Sequence, residues 1–259
     1  MKTLVAGTVI AVIAGSGAAL AADLPLRGAP PPPPALAESF DWSGFYFGGN
    51  LGFTRGKARW TDITGYNGVG ETFTYKPGSI GGDLHAGYNA QFGLMVVGAE
   101  AEIGHLNLKK SQQYPKFVGI RGPLDSVAET HGGLYGALSA RVGIAIDSLM
   151  IYGRGGLVTS DIRQKFIDSD VAGSVLNDGV TTKRPRNGYT FGGGVAMAVG
   201  QNLSIHAEYN YYNFGAKTHT ASIPWGTRYD FRHSLSANVF KIGMDYRFGA
   251  PAAPVVAKY

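Results

Sequence analysis

The 259-residue chain contains no cysteine. Disulfides, thiolate nucleophiles and cysteine metal sites are thereby excluded, so backbone ladders and packing must hold the fold. Past the N-terminus no run approaches the ~20 consecutive apolar residues that a membrane-crossing helix needs. With a mean hydropathy of −0.02, any membrane-embedded part must be polar at about half of its positions. A closed barrel meets that condition, because alternate residues face lipid and lumen. Charged residues make up only 16% of the chain, with a formal net charge of +5. The basic surplus lies in four connections, 55–79, 106–131, 161–187 and 215–231, and not along one stripe, which argues against nucleic acid as a partner. The six histidines form no HExxH motif. Thirty-nine glycines against thirteen prolines, without a triplet repeat, fit tight turns and close strand approaches and exclude collagen.

What is present begins with an export signal. In 1–21, Lys2 supplies a positive start, Leu4 to Ala14 an apolar stretch, and Ala19 and Ala21 the small residues of a cleavage site. Residues 22–41 form a linker whose Pro30–Pro34 run favours an extended polyproline helix. A barrel is expected over 42–248, and 249–259 is a short tail.

The final segment of the barrel, Val239–Phe248, is the most informative. Phe240, Ile242, Met244, Tyr246 and Phe248 occupy one face, while Lys241, Gly243, Asp245 and Arg247 occupy the other. Seven earlier segments alternate in the same way. They carry Phe45–Phe53, Ile80–Tyr88, Met95–Ile103, Leu134–Ile144, Ile151–Leu157, Tyr189–Val199 and Leu203–Tyr211. With its flanking residues each segment is long enough for the ~9–11 residues a spanning strand needs. Their connections alternate between long and short, as in outer-membrane barrels with short periplasmic turns and long extracellular loops. The expected fold is therefore all-β, an eight-stranded antiparallel up-and-down transmembrane barrel in the Gram-negative outer membrane. A soluble barrel with an oily calyx is the rival. Against it, the ionic face is rich in Gly, Ala and Ser, which suits a crowded lumen.

The lumen then receives Asp83, Glu100, Glu102, Glu208 and Asp245 together with Arg141, Arg154, Lys241 and Arg247. Buried charges persist when paired and hydrogen-bonded, and eight strands leave an interior that side chains can fill. A plug of mutual ion pairs is expected. His206 with Glu208, and His233 with Ser234, are the nearest approaches to a catalytic pair. Neither supplies a converging nucleophile, base and orienter, so no enzyme and no metal site is expected.

Several short motifs in order resemble the alphaproteobacterial porin-like outer-membrane β-barrels, a group of OmpA-like eight-stranded barrels. They are Asp41-Trp42-Ser43-Gly44-Phe45-Tyr46, Gly87-Tyr88-Asn89, Gly98-Ala99-Glu100-Ala101, Ala207-Glu208-Tyr209, Asn213-Phe214-Gly215 and Tyr246-Arg247-Phe248. The resemblance covers roughly 41–248. It implies insertion by the barrel-assembly machinery, which would read Phe240, Ile242, Met244, Tyr246 and Phe248 as the terminal strand. Residues 249–259 after Phe248 depart from a strand that ends the chain. The group includes surface antigens and barrels reported to bind hemin. No cofactor is expected here; hemin is the one candidate, with His105, His131, His219 and His233 as loop ligands. The expected partners are outer-membrane lipid and lipopolysaccharide. A structural, surface-interaction role ranks first, a small-solute porin second and a hemin receptor third.

Overall fold

A computed structural model describes residues 40–65, 68–113, 127–167, 185–222 and 228–248. The signal peptide with Ala19 and Ala21, nearly all of the 22–41 linker and the 249–259 tail lie outside the described residues. Among the described residues twelve strands follow one another. They are β1 (Gly44–Asp62), β2 (Thr72–Tyr75), β3 (Gly78–Phe92), β4 (Met95–His105), β5 (Lys109–Gln113) and β6 (Val127–His131). After them come β7 (Leu134–Ile146), β8 (Leu149–Ser160), β9 (Arg163–Ile167), β10 (Arg186–Ala198), β11 (Leu203–Ser222) and β12 (Arg228–Arg247).

Eight of these, β1, β3, β4, β7, β8, β10, β11 and β12, form one antiparallel sheet that closes when β12 pairs with β1. Closure removes both sheet edges, so every spanning backbone amide and carbonyl can be paired without water. Its seam is long: Tyr46 lies opposite Arg247 and Asp62 opposite Phe231. At one end the strands are joined by short turns. Gly93, at φ 62°, allows the two-residue β3–β4 connection, a backbone region that costs glycine nothing.

The side chains sort by the pleat. Leu51, Ile80, Leu157 and Ile242 are each more than 65% exposed, and the same outward face of every barrel strand carries further apolar residues. A continuous apolar belt of this extent is too large for a water-facing surface. It is the lipid face of a spanning barrel.

At the long-loop end the strands continue beyond the expected boundaries. β1 runs to Asp62, β11 to Ser222, and β12 begins at Arg228. The connections expected at 55–79 and 215–231 are thus largely strand. β2 pairs with β1 as a continuation of β3, interrupted at Lys76 and Pro77, where proline has no N–H to give the ladder. β5, β6 and β9 form a second, three-stranded sheet. In β11 a bulge at Phe214 and Gly215 shifts the register between Asn213 and Ala216. Gly215 takes φ 66° there, and the strand then resumes pairing.

Candidate functional site

The chemistry of this chain lies inside the barrel, in three layers. Nearest the short turns, Trp42, Val96, Ala145, Met150 and Ala196 pack together with Phe40 and Ala198. Trp42 is tied across the mouth, donating from its backbone N to Gln91 Oε1 at 2.7 Å and from Nε1 to the Asp147 carbonyl at 3.3 Å. Nearest the long loops lies a larger apolar core that includes Trp60, Leu106, Leu108, Ile162, Phe214, Phe231 and Leu235. The polar plug expected from sequence is therefore only the middle of the interior. The expectation missed the long-loop layer because the inward face of β1 and β12 turns apolar above the lipid belt.

The middle layer holds the ions. Arg154 Nη1 lies 2.8 Å from both Glu100 Oε1 and Glu208 Oε1, and its Nη2 lies 3.0 Å from Glu102 Oε2. Arg141 Nη2 donates to Glu100 Oε2 at 2.8 Å, and its guanidinium lies over the Tyr152 ring, 4.2 Å from the centroid. Lys241 Nζ pairs with Asp83 Oδ2 at 3.0 Å and with Glu102. Glu208 and Lys241 are direct cross-strand neighbours. Arg141 and Arg154 also lie directly opposite each other, a like-charge pairing offset by the Glu100 carboxylate shared between them.

Four tyrosines fill the remaining acceptor positions. Tyr46 donates to Glu100 Oε2 at 2.7 Å, Tyr152 to Glu208 Oε2 at 3.0 Å and Tyr212 to Glu102 Oε1 at 3.2 Å. Tyr135 accepts from Lys241 Nζ at 3.1 Å and contacts Asp83 and Glu102. Inward glycines make room for these side chains. A methyl at Gly194 would meet the Tyr152 hydroxyl at 2.9 Å, and one at Gly243 would meet His206 Nε2 at 2.6 Å.

Eight of the nine charges expected in the lumen meet in this way: Asp83, Glu100, Glu102, Glu208, Asp245, Arg141, Arg154 and Lys241. Asp245 joins through histidines, His85 Nε2 at 2.6 Å and His206 Nδ1 at 3.1 Å. Arg247 does not take part. It lies at the short-turn mouth, donating from Nη2 to the Gln201 carbonyl at 2.8 Å and stacking over Phe40 at 4.0 Å. One strand step beyond Asp245 on the same face is enough to carry it past the ion layer.

Sequence reasoning passed over His85, the four tyrosines and Asn50 as network members. Their signal was present, since each sits on the inward face of its strand, but the expected plug was drawn from formally charged residues alone. His233 also differs from expectation. It is fully buried in the long-loop core, edge-on to Trp60 at 4.7 Å and against Arg186 Nη1 at 3.1 Å. It is not an exposed loop ligand, because β12 extends down to Arg228 and turns it inward. His105 and His131 are exposed. The terminal-strand residues Phe240, Ile242, Met244, Tyr246 and Phe248 all face lipid.

A closed barrel, apolar outside and ion-paired within, defines an integral outer-membrane β-barrel protein. The chain belongs to the outer membrane protein β-barrel domain family, whose model matches residues 8–248. It is similar to the 31 kDa outer-membrane immunogenic protein of Brucella melitensis, 28% identical over 96% of this chain and 100% of that one. The 22 kDa outer membrane protein of Rhizobium leguminosarum is 27% identical over 80% of this chain and 78% of its own. Among solved structures, the outer membrane protein OprG from Pseudomonas aeruginosa covers 82% of this chain at a TM-score of 0.48 and 13% identity.

Proposed function

We propose that this protein is a structural outer-membrane barrel with a closed lumen, whose work is done by its envelope-spanning frame and its loop end and not by transport. The observation that supports this most is the layering of the interior. Five carboxylates, three cations and four tyrosines interlock between two apolar layers. Between the ion layer and the short-turn lid, a cavity of about 10 Å³ borders Trp42, Tyr46, Arg141 and Arg247, room for about one water. A diffusion pore needs a continuous wet path. The expected result in a planar bilayer is no steady conductance from the wild-type barrel. Large, stable, ion-selective steps would overturn the reading in favour of a small-solute porin.

The loop end supplies the surface partner in this reading. Where β1 leaves the lipid belt its outward face becomes Arg55, Lys57 and Arg59, all exposed, and β12 adds exposed Arg232. Cations at this height fit the phosphates of lipopolysaccharide, whose attraction to exposed charge is screened by salt. Salt-sensitive binding of lipopolysaccharide that Lys57→Ala with Arg59→Ala weakens is the expected outcome. Unchanged binding would remove this partner.

A further inference from the structure

We propose that the lumen contains a site for one divalent transition-metal ion, held by His85, His206 and Asp245. Three independent observations converge on it. The first is a charge count within the ion layer. Asp83, Glu100, Glu102, Glu208 and Asp245 are five carboxylates, while Arg141, Arg154 and Lys241 are the three fixed cations that pair with them among the described residues. Two negative charges are left for His85, His206 or a bound ion to balance in a dry interior, where unpaired charge is costly. One divalent cation balances them.

The second is the hydrogen-bond direction at His206. Its Nε2 lies 2.6 Å from Asn50 Oδ1, an oxygen that can only accept. Asn50 is held in that orientation because its Nδ2 donates to Asp83 Oδ1 at 2.7 Å. His206 therefore carries a proton on Nε2 and turns Nδ1 inward. That Nδ1 has no hydrogen-bond partner, although His206 is 93% buried, being 7% exposed. It faces Asp245 Oδ2 at 3.1 Å. With Nδ1 unprotonated its lone pair would face that carboxylate oxygen, and a metal cation between them, in place of a proton, converts both into ligands.

The third is space and support. His85, His206 and Asp245 each offer one ligand atom, and all of these lie within 4.8 Å of one another. Gly48 and Gly243 lie beside them; a methyl at Gly48 would crowd His85 Nε2 and one at Gly243 would meet His206 Nε2 at 2.6 Å. When His85 binds through Nε2 its proton moves to Nδ1, which faces Asp83 Oδ1 at 3.5 Å and Asn50 Nδ2 at 3.1 Å, so the Asn50 amide must turn its second N–H aside. Carboxylate and amide partners would then orient both imidazoles from behind. Two imidazoles and one carboxylate suit Zn²⁺, Ni²⁺, Cu²⁺ or Co²⁺, and not Mg²⁺ or Ca²⁺.

The test uses the full chain folded in detergent micelles, chelator-treated and then refolded with Zn²⁺ or Co²⁺, so that the closed ends do not block entry. One ion per chain is expected by elemental analysis, with a ligand-field absorption for Co²⁺. His206→Gln and Asp245→Asn should abolish stoichiometric binding, and Asn50→Leu should weaken it by about 10–100-fold, the usual cost of losing an outer-shell partner. A variant with His105, His131 and His219 all changed to Gln should keep the site. Heat-modifiable gel mobility checks that each variant is folded, and the wild-type Co²⁺ spectrum stands if one is not. No bound ion in the folded wild type, or binding that follows His105, His131 and His219 instead, overturns the proposal and assigns the two missing charges to protons. Neither result bears on the conductance test of the closed lumen.

Discussion

Arg154 is the position where the ion layer has most to lose. Its guanidinium contacts three carboxylates at 2.8, 2.8 and 3.0 Å and also donates to Ser139 Oγ at 3.1 Å. Arg154→Met keeps most of the volume and removes the charge. Glu100 retains Arg141 and Glu102 retains Lys241, so Glu208 suffers most, left with hydrogen bonds from Tyr152 and Asn210. Removing one partner of a buried pair costs about 3–5 kcal/mol, and that loss is expected in denaturant unfolding followed by tryptophan fluorescence in lipid vesicles. Arg154→Met with Glu208→Gln should recover part of it, because the orphaned carboxylate is gone. A coupling of about 0.5–3 kcal/mol is the range for groups in one network. Arg154→Lys should lose less than Arg154→Met. If Arg154→Met costs under about 1 kcal/mol, water already reaches these groups. The dry, closed layer would then be wrong, and with it the structural reading of the lumen.

Three further outcomes follow from other parts of the barrel. Burial, with the Arg186 cation beside it, holds the His233 imidazole down from its ordinary 6.5 to about 2. The unfolded chain therefore takes up a proton near pH 6.5 that the folded core refuses, so this contribution is complete above pH 6.5 and falls by at most about 1.4 kcal/mol per pH unit below it. His233→Gln should flatten the acid limb of the stability profile, and identical profiles would refute the assignment. Gly243→Val should cost about 1–3 kcal/mol by overpacking, whereas Gly200→Ala, with nothing within 4 Å of the added methyl, should be silent in the same unfolding assay. Phe248→Glu should sharply lower folded protein in the outer membrane; a charge near the interface costs only about 0–1 kcal/mol, so a severe loss points to recognition of the terminal strand, and wild-type levels would refute that role.

The barrel was legible in the sequence because lipid imposes a strict rule on it. Every outward position within the bilayer must be apolar, so a period-two pattern marks each spanning strand. The same rule explains where the expectation stopped short. Above the lipid belt the pattern persists with its sign reversed. Arg55, Lys57 and Arg59 point outward while Ala58 and Trp60 are buried. On β12, Arg232 points outward while Phe231, His233 and Leu235 are buried. A search for oily outward faces ends at Phe53, although β1 continues to Asp62. The apolar residues so released fill the barrel end that sequence had assigned to loops.

Face and height are different kinds of information, and only the first is written in alternation. The inward placement of Asp83, Glu100, Arg141 and Lys241 follows from parity alone. Their pairing depends on strand tilt and register, which set Glu208 beside Lys241 and His85 beside Gly48 and Asp245. Arg247 has the right parity and the wrong height, so it meets Phe40 and the Gln201 carbonyl at the mouth. Its absence from the ion layer changes the chemistry of the lumen. With Arg247, five acids would face four bases, a shortfall that one protonated histidine could cover. Without it, the deficit is two charges and falls at Asp245, between the imidazoles of His85 and His206, the second with its Nδ1 turned inward by Asn50. The register of a single strand end thus sets whether one positive charge or two must be supplied at Asp245, by protonated histidines or by a bound ion.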